Sequence, residues 1–248
     1  MEQYLLNDQS NESQFRSVFL FGRNVATYKF ALAKALLDLS HQAKTFVSLE
    51  ELSPHYVKHL LEHVTMGKRQ TTSPSSKFLS ACMLYSNEQI TYPQLLDVTT
   101  KIGFNNVIDA FHHIPNGKLN TSFFEKSVQG RTPGIVLTDD LYQLGESQDF
   151  KNMQHEIEGR WNLVESAWND KNMDLAVRYD DIKQELFSLP KLTPESFINS
   201  HNRISLTPVR KPLNGYQKGK CFYCFGHISI ESNQADTCDV DHSIEYST

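Results

Sequence analysis

The sequence has no long apolar run, few cysteines and no leader-like start. No stretch of its 248 residues approaches the length of about 18 apolar residues that a membrane-spanning helix needs. Four cysteines are too few for a secreted scaffold held together by disulfides. The first fifteen residues do not place a basic segment before an apolar one, so no secretory signal is predicted. These absences favour a protein of the reducing cytoplasm with no membrane span.

The composition nevertheless provides a substantial core. Hydrophobic residues make up 39% of the chain, with 15 Phe and 10 Tyr, which excludes wholesale disorder. The length fits one large domain or two small ones. A net charge of −5 argues weakly against a protein that coats nucleic acid.

Two neighbouring segments near the C-terminus each lack charged residues of one sign, acidic residues in the first and basic residues in the second. Residues 201–220 carry no acid, and residues 221–248 carry no Lys or Arg. This pattern favours a phosphate-contacting surface beside a cation site, although a charged surface with a polar tail would look the same. The basic residues of the first segment, our candidates for nucleic-acid contact, are Arg203, Arg210, Lys211, Lys218 and Lys220.

Hydrophobic spacing and capping signals upstream predict a mainly α domain over residues 1–200 with minor β. Residues 66–77 are polar and predict an exposed loop, whereas residues 132–138 and 175–179 have the character of short strands. Residues 201–220 would be a basic linker, and residues 221–248 a separate small module. The expected helices are 15–39 (broken near Gly22), 49–65 (from a capping box at Ser48), 78–85, 91–103, 138–145 and 150–168.

Three histidines recur every fourth residue on the predicted helix 49–65. His55, His59 and His63 therefore share one face, and two His at this spacing can bind a metal. The Glu that a zinc protease requires directly after the first His is missing, so a polar helix face is the favoured interpretation. Three other conspicuous side chains are expected in the core: Cys82, Trp161 and Trp168.

Cys221 and Cys224 form a Cys-x-x-Cys pair within the run KGKCFYC. Such a pair directs two thiolates at one Zn²⁺, and two further ligands must come from elsewhere: Cys238, His227 and a second chain are the candidates. A redox Cys-x-x-Cys normally begins a helix after a strand. Here the pair precedes FGHISI, which predicts a turn and a strand. The zinc interpretation is favoured, with a redox or zinc-sensing protein as the alternative.

Asp241 directly precedes His242 on a β-like stretch that follows the cysteine pair. A carboxylate at this place can hold a divalent cation such as Mg²⁺. The adjacent imidazole has a near-neutral intrinsic pKa and can deprotonate a water for attack on a phosphodiester. An incidental Asp-His on a surface strand is the alternative. Together with the cysteine pair and the basic segment, the combination favours a nuclease.

The run KGKCFYCFGHISI followed by CDVDHSI resembles the opening half of an HNH endonuclease, the ββα-metal nuclease fold. NVATYKFAL (24–32), EGRWNLVESAW (158–168) and LNGYQKG (213–219) resemble a bacterial restriction or phage-defence group with a helical region ahead of the nuclease module. The resemblance implies that His242 is the general base and Asp241 the ligand of the catalytic metal, Mg²⁺ or another divalent cation. It implies that Cys221 and Cys224 are half of a structural Zn²⁺ site.

The resemblance also implies parts that these 248 residues lack: an Asn-bearing loop, a second Cys-x-x-Cys pair and a helix with the last His. The expected module is therefore a partial HNH hairpin without its helix, with little or no cleavage activity. The expected function is DNA hydrolysis in phage defence or restriction, with DNA and other defence-system subunits as partners. The alternative is a non-catalytic helical protein that binds DNA or a partner and carries a degenerate nuclease tail.

Overall fold

The structure is a computed structural model that describes residues 5, 8–22, 25–42, 44–73, 75–115, 117–169, 176–180, 185–189, 214–215, 217–221 and 226–229. These residues are mainly helical with a small antiparallel sheet, which confirms the expected class. The helices are α1 (Asn11–Leu20), α2 (Tyr28–Leu39), α3 (Leu49–Val64), α4 (Lys77–Ser86), α5 (Tyr92–Val98), α6 (Val107–Ala110), α7 (Asp139–Glu146) and α8 (Phe150–Asn169).

Local signals account for most helix boundaries. Ser48 accepts a hydrogen bond from the Glu51 amide while the Glu51 carboxylate accepts from the Ser48 amide, which is the predicted capping box of α3. The break near Gly22 separates α1 from α2 as predicted, and α1 begins at Asn11, earlier than the apolar pattern indicated. The predicted helix 91–103 is α5 followed by a single π-helical turn over Thr99–Gly103.

The strands form small antiparallel pairings. In the three-stranded sheet the central strand β5 (Thr132–Leu137) lies between β1 (Phe46–Ser48) and β4 (Phe124–Gln129), with Ile135 opposite both Val47 and Lys126. The predicted strand 132–138 is β5, whereas its hairpin partner β4 was not predicted. The strands are β1 (Phe46–Ser48), β2 (His113–Ile114), β3 (Gly117–Lys118), β4 (Phe124–Gln129), β5 (Thr132–Leu137), β6 (Ala176–Asp180) and β7 (Glu185–Leu189).

Helix α2 lies at the centre of the core and packs against α1, α3, α7 and α8. It is buried over most of its circumference, and its Phe30 ring stacks 5.8 Å from the fully buried Trp161 of α8. Cys82 is also buried, and burial raises the pKa of its thiol to about 12, so it remains an unreactive apolar group. None of the described helices is both long and apolar enough to cross a membrane.

The polar segment 66–77 is mostly an exposed loop, as its composition predicts, with one buried point of attachment at Gln70. Gln70 is only 3% exposed, and its side-chain oxygen accepts hydrogen bonds from Thr27 and from the Trp161 indole at 2.7 and 3.0 Å. Its amide donates to Glu165 at 2.6 Å. A backbone bridge between Ala26 and Thr71 completes the attachment. The segment therefore fastens α2 to α8, a tertiary role that a polar composition does not reveal.

Candidate metal centre and its anchorage

Cys221 lies at the end of a narrow antiparallel hairpin. Its amide donates to the Gly226 carbonyl at 2.8 Å, and the Ile228 amide donates to the Gly219 carbonyl at 3.0 Å. These two bonds flank the bridge between Lys220 and His227. The first cysteine of the pair therefore lies where a hairpin brings residues 221 and 226 together. A hairpin at this place agrees with the turn expected of a zinc knuckle.

The pairing of the hairpin also separates His227 from Cys221. Lys220 and His227 are directly opposite each other, so their side chains share one face, and alternation along the strand places Cys221 on the other face. The Nε2 atom of His227 lies 2.8 Å from an Asp149 oxygen, which directs the imidazole towards the helical domain. Of the candidate ligands named from the sequence, His227 is therefore the one disfavoured by this geometry.

A buried ionic cluster holds the start of this segment against the helical domain. Arg16 of α1 is 1% exposed and donates to both oxygens of Glu156 on α8, at 2.8 and 3.1 Å. Asn214, which is 2% exposed, donates its side-chain amide to Glu156 at 2.8 Å. Burial raises the pKa of Glu156, and the Arg16 charge and the hydrogen bonds of Arg16 and Asn214 oppose that rise.

A second set of contacts holds the hairpin itself. Asp149, directly before α8, accepts from Arg16 at 3.0 Å and also contacts His227. Asn152 donates its amide to the Ile228 carbonyl at 3.1 Å, and the Lys218 ammonium lies 3.5 Å from Asp8. Residues 214–221 and 226–229, where described, are thus docked on α1 and α8. We refer to the group of Arg16, Asp149, Glu156, Asn214 and His227 as the anchor cluster.

The structure places only three of the sequence-predicted site residues. Cys221 is half-buried, Lys218 is turned towards Asp8, and Lys220 is exposed. Within the part of the chain that the structure describes, no group of three or more His, Cys, Asp or Glu side chains is arranged to hold a metal. The remaining predicted residues lie outside the described residues: Arg203, Arg210, Lys211, Cys224, Asp241 and His242.

The histidine face of α3 has a structural role. His59 is buried, and its Nε2 atom lies 2.8 Å from Asp38 of α2. His63 lies between Glu158 and Glu165 of α8, at 3.3 and 2.7 Å. Burial lowers the pKa of His63, but the hydrogen bonds and charges of the two glutamates outweigh burial and raise it. The polar face of α3 is thus turned towards α2 and α8, with His59 and His63 buried and paired and His55 only partly buried.

The anchor cluster was missed in the sequence, although one signal for it was present. Arg16 is the only charged residue in the run QFRSVFLF, so a helix that buries this face also buries a cation. A buried cation requires an acidic partner. The sequence gives no means of choosing Glu156, 140 positions away, among the many acids of the chain.

Comparison with known proteins returns no match: no family model, curated protein or solved structure is similar to this chain.

Proposed function

We propose that the chain carries the zinc knuckle and the metal-binding strand of an HNH-type endonuclease that hydrolyses DNA phosphodiesters. The observation that supports this most is the hairpin at Cys221, because it places the first cysteine of the pair at the end of a hairpin, which agrees with a zinc-binding turn. Thiolates are suitable ligands for Zn²⁺, so the donor set of Cys221 and Cys224 fits a structural zinc site. The resemblance to restriction and phage-defence nucleases supports a role in bacterial defence.

In this proposal the two residues of the Asp-His pair have separate tasks. The Asp241 carboxylate would hold Mg²⁺ or another divalent cation. His242 would accept a proton from the attacking water, for which an imidazole of near-neutral pKa is suited. When bound, a divalent cation stabilises negative charge on the leaving oxygen. These 248 residues contain no second cysteine pair and no His after His242, so we expect them alone to cleave weakly or not at all.

DNA binding by the basic segment is tested by salt titration. Lys220 is exposed, whereas the Lys218 ammonium lies beside Asp8 and is 17% exposed. We expect Lys220→Ala to weaken DNA binding and to reduce the slope of log K against log salt by about 1. Lys218→Ala should reduce the slope less, because Asp8 already neutralises part of its charge.

Lys101→Ala is the control for this titration, because Lys101 is exposed and pairs with Asp97 within the helical domain. It should leave the slope unchanged. If Lys220→Ala and Lys218→Ala both bind DNA with the wild-type slope, these two lysines of the basic segment do not contact phosphate. A non-catalytic binding protein, with its DNA or partner surface on the helical domain, would then be the better description.

A further inference from the structure

Two carboxylates at the start of α8 are shared between the helical domain and the segment that carries Cys221. Glu156 accepts from Arg16 of α1 and from Asn214 of the segment. Asp149 accepts from Arg16 and contacts His227 of the hairpin. Glu156 Oε1 accepts from both Arg16 and Asn214, whereas Asp149 uses Oδ2 for Arg16 and Oδ1 for His227. The two tasks, neutralising Arg16 and binding the segment, cannot be separated without leaving a buried polar group short of a partner.

Gly219 brings the hairpin backbone directly onto Asp149. Its φ is +68°, a left-handed conformation that favours glycine. A Cβ added at this position would lie 2.8 Å from one Asp149 oxygen and 3.1 Å from the other. A side chain at this position would therefore have to displace the Asp149 carboxylate, which contacts Arg16 and His227 and lies against the backbone two residues before Cys221. Gly215 makes a comparable approach to Glu156, with a Cβ position 3.2 Å from its Oε2 atom.

We propose that Asp149 and Glu156 are positioning residues for the candidate zinc site, holding the described hairpin residues around Cys221 in one orientation on the helical domain. The proposal rests on the zinc knuckle of the proposed function. A preformed turn would lose less conformational freedom when its thiolates bind Zn²⁺ than an undocked one would. By linkage, the free energy by which docking of the segment favours Zn²⁺ binding equals the free energy by which bound Zn²⁺ favours docking. Residues 201–220 would then include part of a rigid attachment and not only a linker.

The chain offers a matched pair of variants to test this. Gly219→Ala introduces left-handed strain and a collision with Asp149, whereas Gly130→Ala, at φ +65° with nothing within 4 Å of its Cβ position, introduces only the strain. Asn214→Ala removes the amide that binds Glu156 without touching a candidate zinc ligand. The full chain and these variants are titrated with Zn²⁺ against a chelator of known affinity. The alkylation rate of Cys221 in the metal-free proteins is followed by peptide mass spectrometry.

We expect Gly219→Ala and Asn214→Ala to weaken zinc affinity by about tenfold, in the range seen when outer contacts of a metal site are removed. Both should also speed the alkylation of Cys221, and Gly130→Ala should change neither quantity. Wild-type zinc affinity and wild-type alkylation in both variants would overturn the proposal while leaving the zinc knuckle intact. A wild-type chain that binds no zinc would overturn both the zinc knuckle and the positioning role of Asp149 and Glu156. If the two variants weaken zinc affinity as expected but the protein never cleaves DNA, only the proposed nuclease activity is overturned.

Discussion

Replacing Arg16 by methionine is expected to lower the free energy of unfolding by about 3–5 kcal/mol. The guanidinium is buried, and it is the cation nearest to the fully buried Glu156, with a 2.8 Å contact. Methionine keeps most of the apolar stem but leaves both Glu156 and Asp149 without that charge. Denaturant unfolding followed by circular dichroism measures the loss. Lys126→Met is the matched control, because Lys126 pairs with Asp109 at the surface and should cost less than about 1 kcal/mol.

The loss of unfolding free energy in Arg16→Met should increase as the pH rises. Burial raises the pKa of Glu156 above its ordinary value of 4.5. Stability that depends on the neutral carboxyl is therefore complete below the unfolded pKa and is lost as pH rises through the folded pKa. Without Arg16 the pKa rises further, so the penalty should be larger at about pH 8 than at about pH 5.

The double variant Arg16→Met, Glu156→Gln distinguishes the effect of the buried charge on stability from the effect of packing. Glutamine retains an oxygen for Asn214 but no longer requires a cation, so the double variant should be more stable than Arg16→Met alone. An Arg16→Met protein as stable as Lys126→Met, at either pH, would contradict the importance of the anchor cluster.

Replacing Trp161 by alanine is expected to cost about 3–5 kcal/mol. The indole is fully buried and stacks on the His63 ring with a centroid separation of 3.7 Å. Its N–H donates to Gln70, which in turn binds Thr27 and Glu165. The substitution therefore leaves a cavity and also removes one of the contacts that attach segment 66–73 to α8. The expected second effect is faster proteolysis within that segment.

Trp168→Ala is the matched control, because Trp168 is the other tryptophan and lies half-buried near the end of the same helix. Trp168→Ala should lower the free energy of unfolding by about 1 kcal/mol. Trp161→Phe should be intermediate, since it preserves an aromatic ring but not the N–H donor. If Trp161→Ala costs no more than Trp168→Ala, the stacked arrangement with His63 does not organise the core.

Local signals predicted the helices well because their causes are local. The capping box at Ser48, Pro93 in the first turn of α5 and the apolar face of Ile157, Trp161 and Val164 each act over a few residues. The strand at 132–137 was predicted from its β-branched and apolar run. Its partner β4, FEKSVQ, was not, because only its pairing with β5 reveals a strand in so polar a sequence.

The candidate site depended more on long-range contacts, and the sequence revealed less of it. Cys221 stood out through its spacing to Cys224, and its hairpin agrees with the expected turn. Asn214 and Lys218 appeared to belong to a basic linker, because composition does not show that Glu156 and Asp8 lie opposite them. The sequence does not show that Gly219 approaches Asp149 closely, because that contact emerges only from the packing.

Metal-dependent nicking of supercoiled plasmid is the most direct test of the proposed nuclease. The protein required is the full product of the gene that encodes this chain. The resemblance implies that an active module contains, besides Asp241 and His242, an Asn, a second Cys-x-x-Cys pair and a further His. We predict nicking in Mg²⁺ that stops with chelation and is lost in His242→Ala, although that variant still binds zinc at wild-type affinity. A folded, zinc-loaded protein that does not nick, or a His242→Ala variant that nicks as fast as its parent, would contradict the assignment.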